Sequence, residues 1–150
     1  MTREEFAGRV LVRVGAKPTK RNLWALVAWM QAEGGDASWN PLNTTLDKPG
    51  ATNYNSVGVK NYVSAEQGIE AIAETLNYGA DRNLYGYKPI RKRLRGSSWA
   101  SLTLRAVERS IWGTGGLALR CLPMVKRNWD HFRNLPISWH VVVLAAGLFL

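Results

Sequence analysis

The sequence predicts a mainly α-helical domain with a long loop or short hairpin between two of its helices. Apolar side chains recur at three- and four-residue spacing in several segments, which is typical of amphipathic helices. Residues 34–62 lack that period and are rich in Gly, Asn, Pro, Thr and Ser. With 150 residues and 46% hydrophobic content, the chain is long enough for one domain with a core, with or without a short appendage.

Two helices are predicted before the loop. The first covers residues 2–14, and the second covers residues 19–33, with Thr19 as its N-cap and Gly34-Gly35 as its stop. The apolar positions that mark one face of each helix are Phe6, Val10, Val14, Leu23, Leu26, Val27 and Met30.

Three helices are predicted after the loop. Ser64 and Gln67 form a capping box that begins a helix, and a connecting stretch follows it after Asn77-Tyr-Gly79. A short helix covers Pro89 to about Leu94. Another, capped by Ser97 or Ser98, runs to Ile111 and stops at Trp112-Gly-Thr-Gly-Gly116.

We divide the chain into a domain, residues 1–118, and a tail, residues 119–150. Pro123 and Pro136 are expected to interrupt helicity, and residues 141–150 carry no polar side chain. Ten helical residues span about 15 Å, which is too short for a membrane span. The apolar end is therefore a buried terminal segment, a membrane contact through residues 137–150, or an atypical chain end.

The net charge of +9 is unevenly distributed. Residues 1–21 carry a net +4, residues 22–81 a net −5 and residues 82–150 a net +10. Basic surface favours a polyanion, which includes nucleic acid, an anionic membrane and an anionic cell-wall polymer. The cluster Arg91-Lys-Arg-Leu-Arg95, with Tyr85, Tyr87 and Trp99 nearby, makes nucleic-acid binding an alternative function.

The sequence gives no support for a disulfide, a metal site, a dinucleotide cofactor or a secretory signal peptide. One cysteine, Cys121, makes no intrachain disulfide, and Cys121, His131 and His140 lack zinc-ligand spacing, so no metal is expected. Gly113-Thr-Gly-Gly-Leu-Ala118 fits a dinucleotide fingerprint but follows a helix instead of a strand, so no cofactor is expected. The N-terminus has acids and no apolar stretch, so we expect no secretory signal peptide.

Glu33 is the candidate catalytic acid. It ends the second predicted helix, where the helix dipole disfavours a carboxylate, and it shares an edge of the apolar stripe with Trp29 and Met30. Both effects raise the pKa of a carboxyl group, as a general acid requires. Glycoside cleavage also needs a second carboxylate or a nucleophile from the substrate, and Asp36 and Asp47 in the loop are the candidates. The alternative for Glu33 is an ordinary acid at a helix end.

The residues around Glu33 resemble a known family. Glu33 is followed by Asn40-Pro-Leu-Asn-Thr-Thr45, then by Asn53-Tyr-Asn-Ser-Val-Gly-Val-Lys-Asn-Tyr62 and Gln67-Gly-Ile-Glu-Ala71. Over about residues 5–116 these segments resemble the lysozyme-like domain of actinobacterial phage lysins and tape-measure proteins. They are more distantly similar to soluble lytic transglycosylases. In those enzymes the loop after the helix-terminal Glu ends in Gly-Leu-Met-Gln, and Gly58-Val-Lys-Asn61 stands in that place here.

The resemblance implies a lysozyme-like fold and cleavage of peptidoglycan between N-acetylmuramic acid and N-acetylglucosamine. Glu33 would protonate the glycosidic oxygen. A lytic transglycosylase needs no second carboxylate, whereas a muramidase would use Asp36 or Asp47. The implied sugar-binding residues are Asn55, Ser56, Asn61, Tyr62 and Trp112. Turn formation by Asn55 and Ser56 and core packing by Tyr62 are the alternative.

The same resemblance implies where the protein works. We expect a monomer that acts on peptidoglycan from a phage particle or as a lysin, without specific nucleic-acid binding. Two alternatives to an enzyme stay open. One is a virion structural protein with this fold and no catalysis, and the other is the basic nucleic-acid-binding protein.

Overall fold

The computed structural model describes residues 1–140, and helices dominate them, which confirms the predicted mainly helical class. Among these residues, seven helices and one two-stranded sheet follow in chain order. They are α1 (Arg3–Arg13), α2 (Lys20–Glu33), β1 (Thr52–Asn53), β2 (Lys60–Asn61), α3 (Ala65–Asp81), α4 (Tyr87–Arg95), α5 (Ala100–Arg109), α6 (Leu117–Arg127) and α7 (Trp129–Arg133).

Side-chain caps determine where three of the helices begin. The hydroxyl of Thr19 accepts the N–H of Asn22 at the start of α2, and that of Ser64 accepts the N–H of Gln67 at the start of α3. Thr2 caps α1 in the same way. Each hydroxyl satisfies a backbone donor that the first helical turn leaves free. The predicted caps Thr19 and Ser64 are therefore confirmed.

Helix α3 extends beyond its predicted end. The helix continues through Gly79 to Asp81, where a connecting stretch was expected. Gly79 is buried against the ring of Tyr87, so its small size serves close packing between α3 and α4. Packing explains why this glycine does not end the helix.

The long loop contains a short hairpin. Strands β1 and β2 pair antiparallel, with Thr52 opposite Asn61 and Asn53 opposite Lys60. The rest of the loop runs from the end of α2 to the hairpin without regular structure. Its polar connections, described below, hold it against the end of α2.

Helix α2 lies at the centre of the molecule. It contacts α1, α5 and α6, while α3 packs against α1 and α4. Leu26 and Trp29 are fully buried. Because α2 is surrounded by other helices, its last residue, Glu33, emerges at the point where the core meets the loop.

Part of the predicted tail belongs to the core. Helix α6 crosses the proposed boundary between residues 118 and 119 and packs against α2. Pro123 lies inside α6 on an exposed face, and does not interrupt the helix as expected. A proline in a helix interior costs about 3 kcal/mol. Burial of Leu122 and Val125, worth about 1.5–3 kcal/mol each, offsets that cost.

The chain after α7 returns to the domain in an extended conformation. Pro136 forms a bridge with Thr2, Ile137 is buried, and the ring of Trp139 stacks on that of Trp39 at 6.2 Å. Residues 141–150, which include most of the proposed membrane-contacting segment 137–150, lie outside the described residues. Within residues 1–140, no helix has the length and apolar character needed to cross a bilayer.

Candidate active site

The carboxyl group of Glu33 lies at the C-terminal end of α2, partly buried between the helix and the loop. Gly34 follows in the left-handed conformation and ends the helix. Gly35 allows the loop to fold back closely, because a Cβ there would lie 2.9 Å from the carbonyl oxygen of Asn40. This close approach brings Asn43 to the carboxyl group of Glu33.

Both carboxyl oxygens of Glu33 accept hydrogen bonds from fixed donors. The indole Nε1–H of Trp29 donates to Oε1 at 3.3 Å. The side-chain amide of Asn43 donates to Oε2 at 3.0 Å and to the backbone oxygen of Glu33 at 3.2 Å. Asn43 has a left-handed backbone, with φ of 57°, a conformation that asparagine tolerates better than most residues. The two donors therefore orient the carboxyl group through its two oxygens.

The pKa of Glu33 is raised above its ordinary value, mainly because burial removes water from the charged form. The hydrogen bonds from Asn43 and Trp29 act in the opposite direction, and the negative charge of Glu108 raises the pKa further. The raised pKa agrees with the expectation from the sequence. Its main cause is burial.

Trp112 forms part of the same site, although its side chain is held within the protein. Its ring meets that of Trp29 edge to face, with centroids 4.9 Å apart, and lies 5.5 Å from the ring of Tyr87. Its indole N–H donates to the carbonyl oxygen of Leu42 at 2.8 Å. Trp112 thus supports the wall behind Glu33 and fastens it to the loop.

A groove of about 480 Å³ is lined by Tyr87, whose ring contacts Trp112, and Glu33 is not among its lining residues. It starts at Thr44, next to Asn43, and at Ile111, next to Trp112. Its aromatic lining consists of Tyr78, Tyr85 and Tyr87. Tyr78, Tyr85 and Ile111 are exposed and offer apolar surface to a ligand. The sequence had assigned none of these groove residues to a sugar site.

Cavity size alone does not mark this site. A larger cavity, of about 950 Å³, lies over α1, and none of the predicted site residues lines it. The chemistry that a general acid needs is found at Glu33, where a carboxyl group with a raised pKa is oriented by two donors.

The two predicted partner carboxylates lie apart from Glu33. Asp36 is exposed and its backbone oxygen contacts the His140 ring at 3.2 Å. The Asp47 side chain is 80% exposed and pairs with Lys60 at 3.7 Å. Among the described residues, neither aspartate hydrogen-bonds to Glu33 or contributes to its raised pKa. The sequence offered them because of their position in the loop, which does not determine their direction.

Most of the predicted sugar-binding side chains hold the loop together. Asn55 accepts the N–H groups of Val57 and Val59, which is turn formation. Asn61 accepts the N–H of Ser38 at 2.9 Å. Tyr62 is buried and donates its hydroxyl to the carbonyl oxygen of Leu46 at 2.6 Å.

Two of the predicted sugar-binding residues, Ser56 and Tyr62, differ in accessibility. Ser56 is exposed near the tip of the hairpin. Burial raises the pKa of the Tyr62 phenol, which favours its neutral form. Sugar binding by Asn55, Ser56, Asn61 and Tyr62 stays a prediction.

Glu108, whose negative charge adds to the raised pKa of Glu33, was not among the residues predicted from the sequence. It lies on α5, and it is the only acid between Arg82 and Trp129 in a strongly basic part of the chain. This isolation of one acid among basic residues was the signal in the sequence that could have singled out Glu108. Nothing local to α5 indicates that this helix packs against α2.

No metal site accompanies these carboxyl groups in the part of the chain that is described. Within residues 1–140, no group of three His, Cys, Asp or Glu side chains is arranged to hold a metal ion. Comparison with known proteins adds no assignment, since no family model, curated protein or solved structure matches the chain.

Proposed function

We propose that the protein cleaves the glycan strands of peptidoglycan between N-acetylmuramic acid and N-acetylglucosamine, with Glu33 as the general acid and base. The observation that carries this proposal is the carboxyl group of Glu33, partly buried, with a raised pKa and with one donor on each oxygen. Glycoside cleavage requires a carboxylic acid that gives its proton to the leaving oxygen, and a raised pKa favours that protonated form.

The arrangement of the chain around Glu33 supports a lysozyme-like fold. The acid ends a central helix, a long loop with a short hairpin follows, and another helix begins soon after the hairpin. This order agrees with the resemblance carried by residues 5–116. The groove lined by Tyr78, Tyr85 and Tyr87 supplies aromatic surface on which sugar rings would stack.

In the proposed reaction, protonated Glu33 gives its proton to the glycosidic oxygen, and the bond from that oxygen to the sugar C1 breaks. The sugar becomes an oxocarbenium ion, and Glu33 becomes a carboxylate. Glu33 then takes a proton from the attacking hydroxyl. If that hydroxyl belongs to water, the product is a reducing end. If it is the muramyl 6-hydroxyl, the product is a 1,6-anhydro end.

The cellular setting is part of the same proposal. A monomer carried in a phage particle or released as a lysin would meet peptidoglycan directly. The net charge of +9 would hold it on an anionic wall.

The test is digestion of purified peptidoglycan, followed by mass spectrometry of the soluble fragments. The wild-type chain is expected to release muropeptides, and Glu33→Gln, which keeps the shape of the side chain, is expected to release none. Glu5→Gln is the matched control, since Glu5 is an exposed acid on α1. Full activity in Glu33→Gln would overturn the proposal. Fragments lighter by one water would identify a transglycosylase.

A second candidate function is polyanion binding, which a separate groove favours. Arg93, Arg105 and Arg109 line a cavity of about 220 Å³ between α4 and α5, and the described lining contains no acidic side chain. Three guanidinium groups repel one another, and a phosphate group would relieve that repulsion. Arg91, which also belongs to the predicted basic cluster 91–95, does not line this cavity and forms an ion pair with Asp81 at 2.6 Å.

Binding of a DNA fragment at two salt concentrations tests this second function. A phosphate-binding groove predicts affinity that falls steeply with salt and falls again in the double variant Arg105→Gln, Arg109→Gln. Equal affinity of the double variant and the wild type would overturn it. A wild-type chain inactive in both assays would favour the structural virion protein.

A further inference from the structure

Residues 136–140, which we call the strap, run from the end of α7 across the start of the long loop. The first half of the strap is fixed to the N-terminus of the chain, because Pro136 forms a bridge with Thr2. The N–H of Ile137 donates to the carbonyl oxygen of Met1 at 3.0 Å, and the side chain of Ile137 is buried. The strap is therefore anchored at this end to the core.

The second half of the strap bonds to the loop that follows α2. The N–H of Trp39 donates to the carbonyl oxygen of Ser138 at 2.9 Å. The N–H of His140 donates to the hydroxyl of Ser38 at 2.8 Å. The ring of Trp139 stacks on the ring of Trp39, with only 8° between the two planes. Two hydrogen bonds and one aromatic stack thus hold the loop at residues 38 and 39.

Trp39 has a backbone conformation that a large side chain rarely adopts. Its φ is 53°, in the left-handed region. Its carbonyl oxygen lies 1.8 Å from the position that a Cβ of Gly68 would occupy, so the backbone of Trp39 is pressed against α3. Such a conformation persists only when the surroundings hold it. Here Gly68 contacts the carbonyl group of Trp39, while the strap binds its N–H group and its ring.

Two asparagines connect Trp39 to the carboxyl group of Glu33. Asn40 follows Trp39 directly and is fully buried. Its side chain donates to the carbonyl oxygen of Thr44 at 2.9 Å and accepts the N–H of Thr44 at 3.0 Å, which closes the turn that contains Asn43. Asn43 in turn donates to Oε2 of Glu33. A displacement of Trp39 would therefore move the amide of Asn43 relative to the carboxyl group.

We propose that the strap positions the candidate active site, with Trp139 as a positioning residue that acts through Trp39 and keeps Asn43 bonded to Glu33. This inference rests on the proposed function. The ring of Trp139 is 57% exposed, so the stack can open without disturbing the core. When it opens, the loop at Trp39 relaxes, the bond from Asn43 weakens and Glu33 loses the orientation that proton transfer requires.

The first test measures the hold of the strap on the loop and needs no catalysis. In Trp139→Ala, the backbone N–H of Trp39 is expected to exchange with solvent at least about tenfold faster than in the wild type, as followed by NMR. The signal of the Asn43 side-chain amide is expected to shift. Trp99→Ala is the matched control, since Trp99 is 60% exposed and stacks on Arg21 at 3.6 Å. Unchanged exchange at Trp39 in Trp139→Ala would overturn the proposal.

A measurement on the wild-type chain covers the case in which Trp139→Ala fails to fold. The N–H groups of Trp39 and His140 both bond between the strap and the loop. If the strap opens as one unit, their opening constants from hydrogen exchange are expected to agree within about threefold. Opening constants that differ by more than about tenfold would contradict the inference without any variant.

The second test separates kcat from KM in peptidoglycan cleavage. Trp139→Ala is expected to lower kcat about three- to tenfold and to change KM less than about twofold, because it disturbs the orientation of the acid and removes no group that binds the substrate. Trp139→Phe keeps an aromatic ring for the stack and is expected to restore most of kcat. An unchanged kcat in Trp139→Ala, with only a lower melting temperature, would show a purely stabilising role and overturn the proposal.

These readouts distinguish failure of the strap from failure of the proposed function. If the wild type releases no fragments while exchange at Trp39 still responds to Trp139→Ala, the glycosidase function fails and the strap keeps only its hold on the loop. If fragments are released and both exchange and kcat are unchanged in Trp139→Ala, the glycosidase function stands and the role of the strap fails.

Discussion

Trp29 donates its indole N–H to the carboxyl group of Glu33, one helical turn further along α2. The ring that makes this bond is fully buried and contacts Trp112 from a distant part of the chain. The candidate acid is therefore attached to the hydrophobic core through a single side chain. Its orientation depends on core packing as much as on its own helix.

Trp29→Phe tests this attachment. The bond from Trp29 lowers the pKa of Glu33, so its loss is expected to raise that pKa and move the alkaline limb of activity to higher pH. The smaller ring is also expected to cost about 1–3 kcal/mol of stability. Urea denaturation and the pH profile of peptidoglycan cleavage measure the two effects. An alkaline limb displaced to lower pH would contradict the hydrogen bond from Trp29 to Glu33.

Asn43 is expected to orient Glu33 through its amide group. Both Asn43→Ala and Asn43→Gly remove the donors to Glu33 and are expected to lower kcat/KM at least about tenfold. Glycine accepts the left-handed backbone and alanine does not, so the alanine variant should be less stable by about 1 kcal/mol. If the glycine variant keeps full activity, the backbone of Asn43 matters and its amide does not.

Stability should depend on the protonation of Glu33. Since burial raises its pKa in the folded state, the unfolded chain loses its proton first as pH rises, and folding stability falls between the two pKa values. Glu33→Gln cannot ionise, so it is expected to melt a few degrees above the wild type at neutral pH and to show no advantage in strong acid. Thermal unfolding, followed by circular dichroism at several pH values, measures the two melting temperatures. A wild type that melts above Glu33→Gln at neutral pH would contradict a raised pKa of Glu33.

Asp36→Asn and Asp47→Asn are expected to keep peptidoglycan cleavage within about twofold of the wild type. Both carboxylates are exposed and make no contact with Glu33 among the described residues. Surface substitutions of this kind usually change stability by less than about 0.5 kcal/mol. A loss of activity above tenfold in either variant, with normal folding, would restore that aspartate as the second carboxylate.

A chain ending at residue 118 is expected to lose cooperative unfolding. The cut removes most of α6 and exposes the face of α2 on which Leu122 and Val125 pack. A chain ending at residue 140 is the control, because it retains α6, α7 and Ile137. A sharp thermal transition in the shorter chain would show that the domain ends at 118, as the sequence suggested.

Sequence reasoning succeeded where the cause of a feature is local. The caps Thr19 and Ser64 bond to residues three positions ahead, and the stop of α2 at Gly34 depends on one backbone angle. It failed at Pro123, where a local rule predicted a break. Burial of neighbouring apolar side chains, which local rules do not include, kept α6 intact.

The same difference between local causes and tertiary packing applies to the candidate site. Glu33 was found from its spacing and its helix end, and its raised pKa was anticipated from the same facts. Asp36 and Asp47 were chosen for their position in the loop, whereas Glu108, whose charge adds to the raised pKa of Glu33, comes from another helix. The aromatic groove was missed for that reason too, since Thr44, Tyr87 and Ile111 meet only after folding.

The sequence by itself determined the helical class, the beginnings of α2 and α3 and the position of the acid at the end of α2. Each of these depends on residues within one or two helical turns of each other. Only the tertiary structure decided which side chains surround that acid, because Trp112 lies far from α2 along the chain and Asn43 reaches Glu33 only through the fold of the loop. Their meeting depends on how the whole core packs, and the core placed Trp112 against Trp29, the donor to Glu33.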